Sequence, residues 1–207
     1  MTVWDSLDEP WRAAFELAWE AYGAGTIPVG AVVVDAGGAI VARGRNRVFE
    51  RNAPPGQIAG SRVAHAEINA LVELGLERRY RDHVLYTTLE PCTQCVGAAW
   101  VSTIGTVRYA AADVYAGAAC LIDVQIEIGD VARRDPMAVE GPLDSPLATL
   151  SELLHADFFR RRAQEHVVWE AYRELRPEIT ALAERVPLRE LAGAPLAEAL
   201  PVLLESL

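Results

Sequence analysis

The sequence predicts an α/β domain in which a mixed sheet begins with a hairpin and carries helices on both faces. Val29–Val34 is a β-branched run that is too short for a typical helix. Gly37 and Gly38 separate it from a second apolar run that starts at Ala39, a spacing typical of a hairpin. Farther along the chain, strand-like runs alternate with segments of helical spacing. This alternation is typical of a sheet covered by helices.

The first element is an amphipathic helix over Trp11–Tyr22, where apolar residues recur every three or four positions and two glycines follow. The second hairpin strand runs from Ala39 toward Arg47. Clusters of proline and glycine mark the loops, and Pro177 breaks a long helical segment. The remaining elements are expected in this order: a loop over Glu50–Ser61, a helix over His65–Leu76, a strand over Val84–Leu89, a helix from Pro91 to about Val101, strands over Gly105–Ala111 and Leu121–Ile128, a loop over Arg133–Pro146, helices over Leu147–Arg185, and short helices over Pro187–Leu207.

Composition describes a globular, acidic protein. The 207 residues are 51% apolar and 23% charged, with a formal net charge of −10 and no lysine. Such a charge gives no general attraction to nucleic acid or anionic lipid. No signal peptide and no membrane-spanning run is recognisable, so we expect a cytoplasmic protein with no membrane partner. We expect residues 1–165 to form the main domain and residues 166–207 a helical C-terminal extension.

Two short motifs bear the chemistry: His65-Ala66-Glu67, and Cys92 and Cys95 within Pro-Cys-Thr-Gln-Cys. One imidazole and two thiolates form a donor set that favours zinc. The cysteines are three residues apart, so they are neighbours on one helical face. Both motifs lie at predicted helix N-termini, where the helix dipole stabilises thiolates. Glu67 can reach the open side of the metal only if the metal lies at the helix tip.

Three protein ligands leave the fourth tetrahedral position to water, which is typical of a catalytic zinc site. Zinc lowers the pKa of such a water from about 15.7 to about 7. Glu67, which is not counted as a ligand, can then accept and return the water proton. The spacing H-x-E with P-C-x-x-C is the known signature of zinc-dependent deaminases.

Two plainer interpretations remain open. A Cys-x-x-Cys pair alone is often a redox pair or half of a structural zinc site. The redox hypothesis gives His65 and Glu67 no role. The structural hypothesis needs a fourth ligand, for which the candidates are Cys120, His83, His155 and His166. We expect Cys120 in the core and these three histidines at surface or core positions without a metal.

From about Trp11 to Glu165 the chain resembles the cytidine deaminase-like superfamily, and within it the branch of bacterial tRNA adenosine deaminases and guanine or cytosine deaminases. The matching blocks are Ile27–Val32, Gly44–Arg47, His65–Leu71, Leu89–Cys95 and Asp157–Arg160. The resemblance implies a three-layer α/β/α sandwich around a mixed sheet, and a homodimer or larger assembly. It implies that His65, Cys92 and Cys95 bind Zn²⁺ and that Glu67 moves protons. It also implies substrate contacts from Asn46 and from backbone near Ala66 and Pro91.

The substrate is the open question. We favour a free nucleobase, a nucleoside or a related aminated heterocycle, whose amine is hydrolysed to ammonia. The alternatives are a tRNA-specific adenosine deaminase acting at the wobble position and a catalytically inactive zinc-binding partner protein. Departures from the tRNA branch at Ala53–Ala64 and Val114-Tyr115, and the acidic C-terminal segment, favour the small substrate. Further expected substrate contacts are Asp113, Tyr115 and Phe158, with Trp100 as another candidate for stacking on a base.

Overall fold

The structure, a computed structural model, describes Trp4 and residues 7–122, 137–163 and 165–207. Its centre is a five-stranded sheet with the strand order β2-β1-β3-β4-β5. β1 pairs antiparallel with β2 and with β3, whereas the β3–β4 and β4–β5 pairs are parallel. The sheet is therefore mixed, as predicted. The strands are β1 Gly30–Val34, β2 Ile40–Arg45, β3 Val84–Leu89, β4 Thr106–Ala111 and β5 Ala138–Glu140.

Helices cover both faces of the sheet. α2 and α3 pack on one face, and α1 and α4 pack on the other. The helices are α1 Glu9–Gly23, α2 Ala66–Leu71, α3 Thr93–Val101, α4 Pro146–Arg162, α5 Val167–Leu175, α6 Pro177–Arg185, α7 Leu188–Leu191 and α8 Leu196–Ser206. Alternate residues of a strand point to opposite faces, so Val32 faces the α1 side and Val33 the α2 side. The three-layer α/β/α prediction is confirmed.

The C-terminal helices extend the core on the α1 side. Buried residues of α5, α6, α7 and α8 belong to the same apolar cluster as those of α1 and α4. The Nε1 of Trp19 in α1 donates a hydrogen bond to the backbone oxygen of Ala194, 2.8 Å away. The helical C-terminal region is thus present, and it packs on the main core.

Glycine permits the close approach that positions α2. A Cβ atom at Gly44 in β2 would lie 2.3 Å from the backbone oxygen of Ala66 and 2.3 Å from the backbone nitrogen of Ala70. No side chain fits in that space, so the backbone of α2 lies directly on β2. This contact sets the height of the helix start, where the first chemical motif lies.

Several element boundaries differ from the sequence prediction. The helix expected over 65–76 ends at Leu71, and α3 begins after Cys92. The long helical segment is interrupted near 163–166 as well as at Pro177. β5 lies inside a predicted loop, because its three residues carry too short a pattern to recognise. The strand predicted over 121–128 lies mostly outside the described residues.

No helix among the described residues combines the length and the apolar character needed to cross a bilayer.

Candidate active site

A cavity of about 230 Å³ lies at one edge of the sheet. The parallel strands β3 and β4 end at this edge, and β1, which is antiparallel to β3, begins there. Loops at strand ends therefore deliver side chains from distant parts of the sequence to one place. The lining residues are Ile27, Val29, Asn46, His65, Glu67, Leu89, Glu90, Cys92, Asp113, Tyr115, Ala116, His155, Phe159, His166 and Val168.

His65, Cys92 and Cys95 bring their donor atoms together beside this cavity. The Nδ1 of His65 lies 3.6 Å from the Sγ of Cys92 and 3.4 Å from that of Cys95, and the two sulfurs are 3.6 Å apart. Tetrahedral zinc with ordinary bond lengths needs S–S and N–S separations of about 3.6–3.8 Å. The three donors are thus spaced as three corners of a zinc tetrahedron, and this set fits the metal.

The donors project from helix tips. His65 is the N-cap residue of α2 and Cys92 that of α3, both with extended backbone. Hydrogen bonding with Cys95, aided by His65, lowers the pKa of Cys92 to about 4. The same bond and burial raise the pKa of Cys95. A thiolate, which zinc requires, is therefore readily available at Cys92.

No fourth histidine, cysteine or carboxylate completes the cluster within the part of the chain that the structure describes. Cys120 is exposed, so the expectation of a core position was wrong. It lies in a turn that buries Ala118 and Ala119 and directs the next residue outward. His83 is buried between Asp82 and Arg78. A structural site with four protein ligands finds no support among these residues.

Glu67 is buried beside the metal donors with 4% of its surface exposed. Its Oε1 accepts a hydrogen bond of 3.0 Å from the Thr87 hydroxyl of β3. Its Oε2 accepts from the Cys95 thiol at 3.4 Å. Burial raises the pKa of Glu67, because the charged carboxylate loses hydration. A carboxyl group with a raised pKa at the cavity wall is suited to exchanging protons with a bound molecule.

Asn46 presents its amide nitrogen to the cavity. The backbone N–H of Val48 donates to Oδ1 at 3.0 Å, and the Thr26 hydroxyl donates to the same oxygen at 2.9 Å. A backbone N–H needs an acceptor, so the atom that receives these two bonds is the amide oxygen Oδ1. The amide nitrogen Nδ2 then lies on the opposite side of the amide group. No described residue accepts a hydrogen bond from Nδ2. Asn46 can therefore donate to an acceptor atom on a ligand.

The loop after β4 closes another side of the cavity. Asp113 accepts backbone N–H bonds from Tyr115 and Ala116. Glu90 accepts from the backbone nitrogens of Asp113 and Ala119 and thereby ties this loop to the end of β3. Tyr115 lines the cavity and is 55% exposed, so its ring lies near the entrance.

Four other expected substrate contacts do not line the cavity with their side chains. Ala66 and Pro91 are buried beside the metal donors, and the Pro91 oxygen accepts from Ala118. Trp100 packs in the core of the α2–α3 layer. Phe158 stacks on Phe49, with ring centroids 5.9 Å apart. Consecutive helical residues point about 100° apart, so the neighbour of Phe158, Phe159, reaches the cavity instead.

Sequence reasoning missed several lining residues near the C-terminal extension. His155 and Phe159 come from α4, and His166 and Val168 come from the start of α5. The available signal was the Asp157–Arg160 block, which has His155 two residues before it and His166 six residues after it. Neither histidine belongs to a recognisable motif, so only the structure reveals that both reach the cavity.

Residues 6–111 match the family model described as the cytidine and deoxycytidylate deaminase zinc-binding region. This span is half of the chain and contains both chemical motifs. The chain belongs to this deaminase family. The zinc-binding character of the family agrees with the donor set formed by His65, Cys92 and Cys95.

Several known proteins are similar to the chain in sequence. A tRNA(Ile)-lysidine synthase of Deinococcus radiodurans is 43% identical over 117 residues, 55% of this chain and 19% of that protein. A tRNA-specific adenosine deaminase of Haemophilus influenzae is 41% identical over 110 residues, 52% of this chain and 59% of the relative. A guanine deaminase of Bacillus subtilis is 39% identical over 105 residues, 48% of this chain and 61% of the relative. The matches therefore cover less than two thirds of each relative's length.

A solved chain from a study of A-to-I editing by tRNA:A34 deaminases at the wobble position of transfer RNA shares the fold. It superposes with a TM-score of 0.51 at 28% identity, covering 69% of this chain and 97% of that chain. The family's α/β arrangement is therefore the arrangement seen here.

Proposed function

We propose that the protein is a zinc-dependent hydrolytic deaminase that removes the exocyclic amine of a free nucleobase, a nucleoside or a related aminated heterocycle. The observation that carries this proposal is the small cavity in which Glu67, Asn46 and the metal donors meet. Its volume of about 230 Å³ is below the range of about 300–1,000 Å³ typical of pockets for drug-sized ligands. Such a cavity suits a single flat ring system.

The chemistry follows from the positions of the side chains. His65, Cys92 and Cys95 would hold zinc, which supplies Lewis-acid activation of water when bound. The water oxygen bonds to the ring carbon that carries the amine, and the carbon–amine bond breaks. One water hydrogen ends on the ring nitrogen and the other leaves with ammonia. Glu67 accepts a proton from water and delivers it, while Thr87 keeps the carboxylate in place.

Three arginines, Arg47, Arg160 and Arg161, support a small substrate, because their charges are already paired with carboxylates. Arg47 donates to Glu50 at 2.7 Å. Arg160 and Arg161 both donate to the buried Asp157 at 2.7 Å. Guanidinium groups engaged with carboxylates are poorly placed to bind phosphates. These three arginines therefore act mainly in internal ion pairs.

An ammonia-release screen tests the proposal. The zinc-loaded protein is incubated with guanine, adenine, cytosine, their nucleosides and aminated triazines, with and without a chelator. We expect ammonia from at least one compound and loss of the activity when zinc is removed. Absence of ammonia from every compound, with one zinc per chain, would contradict the proposal and favour the inactive zinc-binding partner.

Deamination of tRNA at the wobble adenosine is the second candidate. The Haemophilus influenzae relative and the solved chain from the A34 deaminase study favour it. This hypothesis predicts inosine formation in an anticodon stem-loop and RNA binding that weakens steeply with salt. If the stem-loop fails to bind at low salt, this candidate is excluded. The homodimer implied by the resemblance and the expected cytoplasmic location stay predictions, and light scattering of the purified protein would measure the assembly.

A further inference from the structure

Two histidines, one in α4 and one at the start of α5, line the same cavity. His155 lies in α4, is 5% exposed and lines the cavity. His166 is the N-cap residue of α5 and lines the same cavity. The ring of Phe159 contacts both, with centroid distances of 5.0 Å to His155 and 4.4 Å to His166. The pair therefore forms one continuous surface with an aromatic ring.

The hydrogen bonds of His166 define which of its ring nitrogens carries the proton. Its Nδ1 accepts a bond of 3.2 Å from the backbone N–H of Val168. A nitrogen that accepts cannot also carry hydrogen, so the neutral ring is protonated at Nε2. No described residue bonds this Nε2, which leaves it as a donor for a ligand.

The same argument applies to His155. Its Nδ1 lies 3.1 Å from the hydroxyl of Tyr172, a fully buried side chain. If Nδ1 carried the proton, the buried hydroxyl hydrogen would have no acceptor among the described residues. We therefore infer that the hydroxyl donates to Nδ1 and that the ring proton resides on Nε2. Burial lowers the pKa of His155, which keeps the ring neutral near pH 7. The Nε2 of this ring also has no hydrogen-bond partner among the described residues.

We propose that His155 and His166 form a paired N–H donor site that binds the ring carbonyl oxygen of an oxo-substituted, aminated purine or pyrimidine. A carbonyl oxygen has two lone pairs and accepts two donors at once. Phe159 contributes an apolar surface beside the substrate ring, and Asn46 adds a third hydrogen-bond donor through Nδ2. This inference rests on the proposed deaminase function and narrows it to bases such as guanine or cytosine.

Matched substrates test the carbonyl contact. Guanine and 2-aminopurine carry the same amine but differ in the 6-oxo group, and cytosine and 4-aminopyrimidine differ in the 2-oxo group. His155→Met removes one donor, whereas His155→Gln keeps an amide donor. His166→Ser removes the other donor but keeps a hydroxyl that caps α5. We expect His155→Met and His166→Ser to raise KM for the oxo substrate about tenfold, and to raise KM for the matched oxo-free compound much less. His155→Gln should recover part of the loss.

Binding measured without turnover separates this inference from the proposed function. In a Glu67→Gln background, isothermal titration of the zinc-loaded protein gives Kd for each base, and circular dichroism checks that each variant folds. Weaker binding of only the oxo bases in the two donor-removing variants supports the paired donor site even if the wild-type protein releases no ammonia. Ammonia release by the wild-type protein, with equal losses for oxo and oxo-free substrates in folded histidine variants, would refute the donor site and leave the proposed function standing.

Discussion

Individual side chains at the cavity are held by neighbours that do not themselves reach it. Asn46 is oriented by Thr26, and Glu67 is oriented by Thr87. These threonines are fully buried. Polar groups in such positions are costly to leave unpaired, so each supporting hydroxyl restricts its partner to one arrangement. The chemistry of the cavity therefore depends on residues that the motif patterns alone do not indicate.

Thr26→Val tests the support of Asn46. The change removes the hydroxyl donor while keeping the side-chain shape, so the amide of Asn46 loses part of its orientation. We expect KM for the substrate base to rise about fivefold, which corresponds to about 1 kcal/mol for one hydrogen bond. Thr88→Val is the matched control, because Thr88 is also buried but accepts from the backbone of Gly30 instead. Equal KM changes in both variants would contradict the positioning role.

The buried ring of His155 predicts a dependence of stability on pH. Burial lowers its pKa below the ordinary value of 6.5, so the unfolded chain takes up a proton before the folded chain does. Its contribution to stability is therefore present above pH 6.5 and is lost as pH falls through the lowered native pKa, by up to about 1.4 kcal/mol per pH unit. Urea unfolding from pH 7.5 to 5 should show a weaker loss for His155→Gln than for the wild-type protein. Parallel curves would argue against a buried neutral ring.

Among the elements, α4 links the catalytic core to the C-terminal helices. Its buried Glu152 pairs with Arg176, which lies between α5 and α6. Arg176 also donates to the exposed Glu178 at 2.5 Å. The Glu152–Arg176 ion pair fixes the junction between α5 and α6. Because α5 begins directly after His166, the ion pair helps to hold the cavity wall in place.

Arg176→Met tests this junction. The variant leaves Glu152 buried without its partner, and we expect a loss of about 2 kcal/mol in the free energy of unfolding. Removing both groups in Glu152→Leu/Arg176→Met should restore most of that stability, since neither charge then needs a partner. The control Glu178→Gln touches an exposed pair and should change stability by less than about 0.5 kcal/mol. If urea denaturation gave equal changes in the free energy of unfolding for all three variants, the proposed role of the buried pair would be refuted.

At the scale of the whole molecule, the sequence predicted the sheet, the helix layers and the motif residues because each has a strong local pattern. The β-branched run Val29–Val34 and the signature around His65 and Cys92 are of this kind. The sequence did not predict that His155 and His166 line one cavity, because neither histidine belongs to a recognisable motif. The sequence also pointed to Phe158, whereas Phe159 lines the cavity, because the inward face of a helix cannot be assigned between two adjacent aromatics without their packing partners.

The shared core predicts that the main domain and the C-terminal extension unfold together. Trp19 bonds to Ala194, and buried residues of α5–α8 pack against α1 and α4. Scanning calorimetry of the zinc-loaded full chain should show one transition with equal calorimetric and van't Hoff enthalpies. Two separated transitions would instead indicate that residues 166–207 form an independent unit.

Zinc content and ammonia release measured together on Glu67→Gln test the central claim most directly. The carboxylate is proposed to carry the proton but not to hold the metal, so its amide replacement should keep one zinc per chain. Turnover of the best base in the screen should fall by at least about 10²-fold, the scale of general acid–base catalysis. Retained turnover with zinc bound, or loss of zinc in the variant, would contradict the account.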